Sequence, residues 1–128
     1  MTNEEINKII AEFRGWVEYH PTPESISKGY PSYSYWTPPR DSKQFAENWG
    51  KLEMDYPPDY CNNLNAMAEA KNLLTGDKRR EFIEYLYEIV KQDKNINAGP
   101  YSVMIEAFYA TAKQQAIAFV KTIGKWKD

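Results

Sequence analysis

One cysteine, one histidine and six glycines in 128 residues leave little of the residue types that usually announce a chemistry. A single thiol cannot close an intramolecular disulfide, so Cys61 fits a reducing compartment. There is no spaced Cys or His pair and no acidic calcium loop, so the sequence asks for no metal and no other cofactor. Neither G-x-G-x-x-G nor a phosphate-cradling P-loop occurs. No apolar run approaches the roughly 18 residues of a membrane span, and no signal-peptide core is visible. An excess of one charge is also missing. The net charge of −2 provides no global basic field, so neither duplex DNA nor a membrane is an expected partner. The length predicts a single domain over 1–128, large enough to bury a core, in a cytoplasmic protein.

Aromatics, by contrast, are abundant. They make up 15% of the chain, with ten tyrosines and four tryptophans. Such rings join an apolar body to a polar tip, which suits a binding surface or the core of a small domain. Proline is concentrated between His20 and Pro58, at 21, 23, 31, 38, 39, 57 and 58. That density excludes long regular elements there. Within it, Tyr33-Ser34-Tyr35-Trp36-Thr37 has the composition and alternation of a strand. Ser42 to Glu47 suggests a helical turn carrying Phe45, and Trp49 to Tyr56 a second strand. The segment is too aromatic for a flexible linker.

The flanks read as helices. Thr2 and Glu5 form a capping box, Ile6, Ile9, Ile10 and Phe13 recur at helical spacing, and Gly15 is a stop. Trp16 and Val17 then lead into an extended segment. After Pro57-Pro58, Asn62 or Asn63 caps a helix whose stripe is Leu64, Met67, Ala68, the Lys71 stem and Leu74, ended by Gly76. Asp77 caps the next helix, with Phe82, Ile83, Leu86, Ile89 and Val90 inward and Glu84 and Glu88 outward. Residues 94 to 100 form a loop. Tyr101 to Ala110 reads as a strand, because Thr111 and Gln114 make a fresh capping box and so a new helix start. That last helix carries Ile117, Phe119, Val120 and Ile123 and stops at Gly124, with Trp126 folding back on the core. This order predicts an α+β fold: a small, mainly antiparallel sheet packed with helices in layers, an α/β/α sandwich-like arrangement.

Two stretches resemble a known family. Asp59-Tyr60-Cys61-Asn62-Asn63-Leu64-Asn65-Ala66-Met67 with Glu69-Ala70 is one. Ala110-Thr111-Ala112-Lys113-Gln114-Gln115-Ala116-Ile117-Ala118-Phe119 with Thr122-Ile123-Gly124-Lys125-Trp126 is the other. Together they are similar to the small bacteriophage proteins grouped as the phage ABA sandwich domain, and Tyr35-Trp36 before Pro38-Pro39 resembles an upstream element of that group. The chain departs from the pattern at Asn63, where the group's cap is usually Asp, and at Ala68, where a His is common. It also has Gln115-Ala116-Ile117 where an Arg and an acid are common. The resemblance implies a layered fold and a small accessory protein working in the host cytoplasm, related to antagonists of bacterial defence. It carries no residue-level activity.

Read for chemistry, His20 has only Tyr19 and Pro21 beside it, which form no nucleophile or metal pattern. Cys61 sits beside a helix start, the kind of place where a dipole can lower a thiol's pKa, yet without a partner His it reads as a small buried residue. The strongest functional signal combines rings with cations: Lys28, Tyr30, Tyr33, Tyr35, Trp36, Arg40 and Lys43 lie in one proline-stiffened segment. Rings stack on nucleobases, and Arg or Lys neutralises phosphate. The alternative is that these rings cover the sheet. Three readings follow. The first is a non-enzymatic binding protein that sequesters a small nucleotide signal of bacterial defence, its pocket made by residues 28 to 43, with a homo-oligomer expected. The second is an inhibitor that binds a host defence protein or a phage protein, through the same rings or the acidic face of residues 84 to 88. The third, an enzyme acting on such nucleotides, lacks a catalytic constellation in the sequence.

Overall fold

The computed structural model describes residues 1–40, 56–94, 107 and 109–128. It is an α+β chain with five helices and a two-stranded antiparallel sheet among these residues. The elements are α1 (Asn3–Arg14), β1 (Val17–Tyr19), α2 (Pro23–Ser27), β2 (Tyr35–Thr37), α3 (Leu64–Lys71), α4 (Asp77–Lys94) and α5 (Ala112–Thr122). Lys43, the helical turn expected over 42–47 and most of the strand expected over 49–56 lie outside the described residues. The chain divides into two compact units, Met1–Ile10 with Pro58–Asp128, and Ala11–Pro57.

The first unit is helical. The Thr2 N–H donates to Glu5 Oε2 at 2.7 Å and the Glu5 N–H to Thr2 Oγ1 at 3.2 Å, closing the expected capping box. That bonding holds the Glu5 carboxyl below its ordinary pKa, although burial opposes it. Ile6 and Ile10 are fully buried. A polar knot ties α1 to the turn ahead of α3. Asn7 Nδ2 and Asn62 Nδ2 each donate to the Asp59 carboxylate at 2.8 Å, and the Cys61 N–H donates to Asn7 Oδ1 at 3.0 Å. The Asn62 and Asn7 bonds lower the Asp59 pKa, because they favour its charged form.

Asn63, not Asn62, caps α3, accepting from the Ala66 N–H at 3.0 Å. The buried face of α3 differs from the expected stripe. Ala66, Met67 and Ala70 are buried, whereas Leu64 is 55% exposed and Ala68 is exposed. Leu64 occupies the first turn, and a face through 66, 67, 70 and 74 satisfies the 3.6-residue period equally well. The helix ends at Lys71 rather than running to Gly76, and a tight turn then carries Leu74 inward. Lys71 Nζ lies 5.9 Å from the centre of the Phe82 ring, and burial pushes its pKa down.

Asp77 is the first residue of α4 rather than its cap, and its charge favours the positive helix end. Phe82, Leu86, Ile89 and Val90 are buried as the periodicity predicts, but Ile83 is 63% exposed. Helix α4 packs along α5, and α3 also packs on α5. The α5 capping box forms as expected: the Gln114 N–H donates to Thr111 Oγ1 and the Thr111 N–H to Gln114 Oε1. Phe119, Val120, Ala116 and Ala118 are fully buried, and the small residues let neighbouring helices approach closely. The Lys125 N–H bonds the Val120 carbonyl where Gly124 stops the helix. Trp126 is half-buried and lies under Lys121, 5.3 Å from ring centre to Nζ, with its Nε1 donating to Asp128. The strand expected over 101–110 falls mostly outside the described residues. Its described end is a turn, with the Ala110 N–H bonded to the Ala107 carbonyl.

The second unit opens where α1 stops. Gly15 has φ +110°, a backbone conformation that favours glycine, and a Cβ there would make an ordinary contact with the Pro39 side chain at 3.4 Å. The Trp16 N–H returns to the Ala11 carbonyl at 2.9 Å, turning the chain into β1. Strand β2 covers Tyr35–Thr37, two residues shorter than expected, because the chain still bends at Ser32 and Tyr33. The pairing is Val17 with Thr37, Glu18 with Trp36 and Tyr19 with Tyr35. Between the strands lies α2, which the proline count hid. Thr22 caps it, Pro23 occupies its first turn, and Ser25 completes a capping box.

Candidate functional site

Alternation along a strand gives the hairpin two faces. Val17, Tyr19, Tyr35 and Thr37 share one face by register, and Glu18 and Trp36 share the other. On the first face the Tyr19 and Tyr35 rings lie 4.7 Å apart between centres and tilted by 33°. Tyr30 is 6.2 Å from Tyr19, and Tyr33 meets Tyr35 edge-on at 6.3 Å. These spacings are those of favourable ring pairs.

Local bonding fixes the cluster. The Tyr19 hydroxyl donates to the Pro31 carbonyl at 2.9 Å and lies 2.7 Å from Ser25 Oγ, joining β1 to α2 and to the loop after it. Gly29, at φ +92°, reverses the chain so that the Tyr30 N–H bonds the Ser25 carbonyl. Tyr30 and Tyr33 are 55% and 51% exposed, so the cluster presents open ring surface.

The structure thus gathers Tyr30, Tyr33 and Tyr35 and adds Tyr19, which sequence reasoning missed because its strand partner is sixteen residues away. Trp36 is half-buried on the opposite strand face and is not gathered with them. Lys28 is exposed and bonded to Glu24 at 2.9 Å on the same helix end. Arg40 is exposed.

The second face holds a different set. His20 Nε2 lies 3.5 Å from Glu18 Oε2, and Ser34 Oγ is 3.5 Å from His20 Nδ1. His20 stands opposite Ser34 one register step beyond Tyr19 and Tyr35. Ser34 therefore reaches His20 through strand pairing, and Glu18 reaches it from two residues earlier along the same chain segment.

Elsewhere, Cys61 is buried and burial pushes its thiol pKa up, the reverse of a nucleophile's environment. Among the described residues no group of three or more His, Cys, Asp or Glu is arranged to hold a metal ion, and no helix is long and apolar enough to cross a membrane. Along the outer side of α4 an open hollow of about 730 Å³ is lined by Glu81, Ile83, Glu84, Tyr85, Tyr87 and Glu88. No protein-family model matches the chain, and neither a curated protein nor a solved structure matches it.

Proposed function

We propose that the chain is a binding protein of the phage ABA sandwich kind that sequesters a small nucleotide in the host cytoplasm and so antagonises a bacterial defence. The observation that carries this reading is the tyrosine cluster, where two half-exposed rings stand on two partly buried ones. Nucleobases stack on such rings at about 1–3 kcal/mol each. The hairpin and the Tyr19 hydroxyl bonds hold the rings in place, so little ordering entropy opposes binding. Arg40 supplies a cation, and Lys28 can exchange its weak surface pair with Glu24 for a phosphate. A second copy of the chain completing the pocket belongs to the same reading.

Thermal unfolding against a panel of cyclic mono- and dinucleotides tests it. A ligand that binds only the folded chain raises the midpoint by mass action. The expected result is a midpoint rise with at least one nucleotide, abolished by Tyr30→Ala. No rise with any member of the panel rejects the reading.

The α4 hollow supports a second reading, an inhibitor that binds a host or phage protein. Ile83 and Tyr85 offer apolar anchors beside exposed Glu84 and Glu88, which suits a basic partner surface. Ile83→Asp removes that anchor without touching the tyrosines. An intact inhibitory effect in this variant eliminates the second reading.

A further inference from the structure

We propose that Ser34, His20 and Glu18 form an acyl-transfer relay on the hairpin face opposite the tyrosines, which takes activated acyl esters as substrates. The nucleophile, base and orienting acid stand in the required order. Ser34 Oγ is 3.5 Å from His20 Nδ1, and His20 Nε2 is 3.5 Å from Glu18 Oε2. Separations of this length are ordinary for such groups before substrate tightens them.

The chemistry follows from which nitrogen holds the proton. At 3.5 Å the contact between His20 and Glu18 is an ion-pair separation and not a formed hydrogen bond; in the relay it shortens so that Glu18 accepts the Nε2–H, which leaves the Nδ1 lone pair facing the Ser34 hydroxyl. The two ring nitrogens exchange the roles they play in the familiar serine, histidine and aspartate relay, but the logic is the same. The Glu18 side chain is only 21% exposed, so its charge is held close to the ring, whereas the His20 side chain is 62% exposed. A substrate in solution therefore has direct access to the nucleophile. The exposure also defines the substrate class. Water is not excluded, so stabilisation of developing charge is weak, and the leaving group must depart without help. Activated esters, such as aryl esters, meet that condition.

The bonds balance. Ser34 Oγ forms a bond to the acyl carbon as its proton passes to His20 Nδ1. The bond from the acyl carbon to the leaving oxygen then breaks, and that oxygen leaves as an aryloxide. The imidazolium releases its proton to solvent. Water then attacks the acyl carbon while His20 Nδ1 takes a proton from it, and that proton passes to Ser34 Oγ as the bond from the acyl carbon to Oγ breaks, which frees Ser34 and a carboxylic acid. Glu18 acts as a positioning residue by fixing the imidazole tautomer and stabilising its charged form.

The whole chain is mixed with p-nitrophenyl acetate, aryloxide release is followed in single turnover, and the acetylated residue is located by peptide mass mapping. The relay predicts an acetyl group on Ser34, absent from Ser34→Ala, and an acylation rate lowered about 100-fold in His20→Gln, the lower end of what a general base contributes. Added imidazole restores Ser34 acetylation in His20→Ala. Glu18→Gln slows acylation about tenfold without changing the apparent KM. Acetyl groups confined to lysines, or a Ser34 acetylation rate that His20→Gln leaves unchanged, overturn the proposal. So does aryloxide release that persists in Ser34→Ala and vanishes in His20→Gln, because the imidazole is then itself the nucleophile. None of these readouts involves the tyrosine cluster, so this result and the nucleotide panel fail or succeed separately.

Discussion

In the unit made of residues 1–10 and 58–128, Phe82, Phe119 and Tyr60 are buried with Met67, Leu74 and Val90. In residues 11–57, Tyr30 and Tyr33 keep half their surface in solvent while pairing with Tyr19 and Tyr35. The first unit uses those three rings as volume, while Tyr85 and Tyr109 stay exposed, and its stability depends on burial and close packing. The second fixes rings by a hairpin, a capped turn of helix and side-chain bonds, leaving their faces open. Exposed rings that are already ordered are what a ligand needs; buried ones are what a fold needs.

The contrast breaks most visibly under truncation. Phe119→Ala, at a site with no solvent exposure, is expected to cost about 3–5 kcal/mol, read as a lower urea midpoint at unchanged slope. Gly15→Ala, next in size, is expected to cost about 1–3 kcal/mol by the same measurement, because φ +110° opposes a Cβ.

The Asp59 knot gives a smaller, pH-dependent effect. Its native pKa lies below the unfolded value, so its contribution is complete above the unfolded pKa and is lost as pH falls through the depressed native one. The site is exposed, and the expected loss is about 1 kcal/mol or less. Urea midpoints between pH 5 and pH 2 show it as a steeper decline in the native chain than in Asp59→Asn. Tyr33→Ala is the smallest, within about 0.5 kcal/mol, since a half-exposed ring has little burial to lose. A cost above 2 kcal/mol there, by chemical denaturation, makes Tyr33 a core residue and collapses the distinction between the units.

Much of the helical unit was legible because its signals are local. Thr2 with Glu5, Asn63 with Ala66, and Thr111 with Gln114 each act across three residues, and Gly15 and Gly124 stop helices through bonds within one turn. The same grammar was present and overlooked in Thr22-Pro23-Glu24-Ser25, where a high proline count masked a proline in a helix's first turn. Faces were harder. Leu64 and Ile83 satisfy a helical period yet point to solvent, because several stripes fit a short helix and only tertiary packing chooses among them. The site was half legible. Composition marked Tyr30, Tyr33 and Tyr35, but strand register decides that Tyr19 joins them, that Trp36 faces away, and that Ser34 meets His20. Register is a long-range property, and no window along the chain contains it.

Native mass spectrometry of the chain mixed with equimolar cyclic mono- and dinucleotides tests the tyrosine surface most directly. The account predicts a stoichiometric adduct with at least one of them, lost in the Tyr30→Ala/Tyr33→Ala double variant while its circular dichroism stays native. No adduct, or one that survives the double variant, contradicts it.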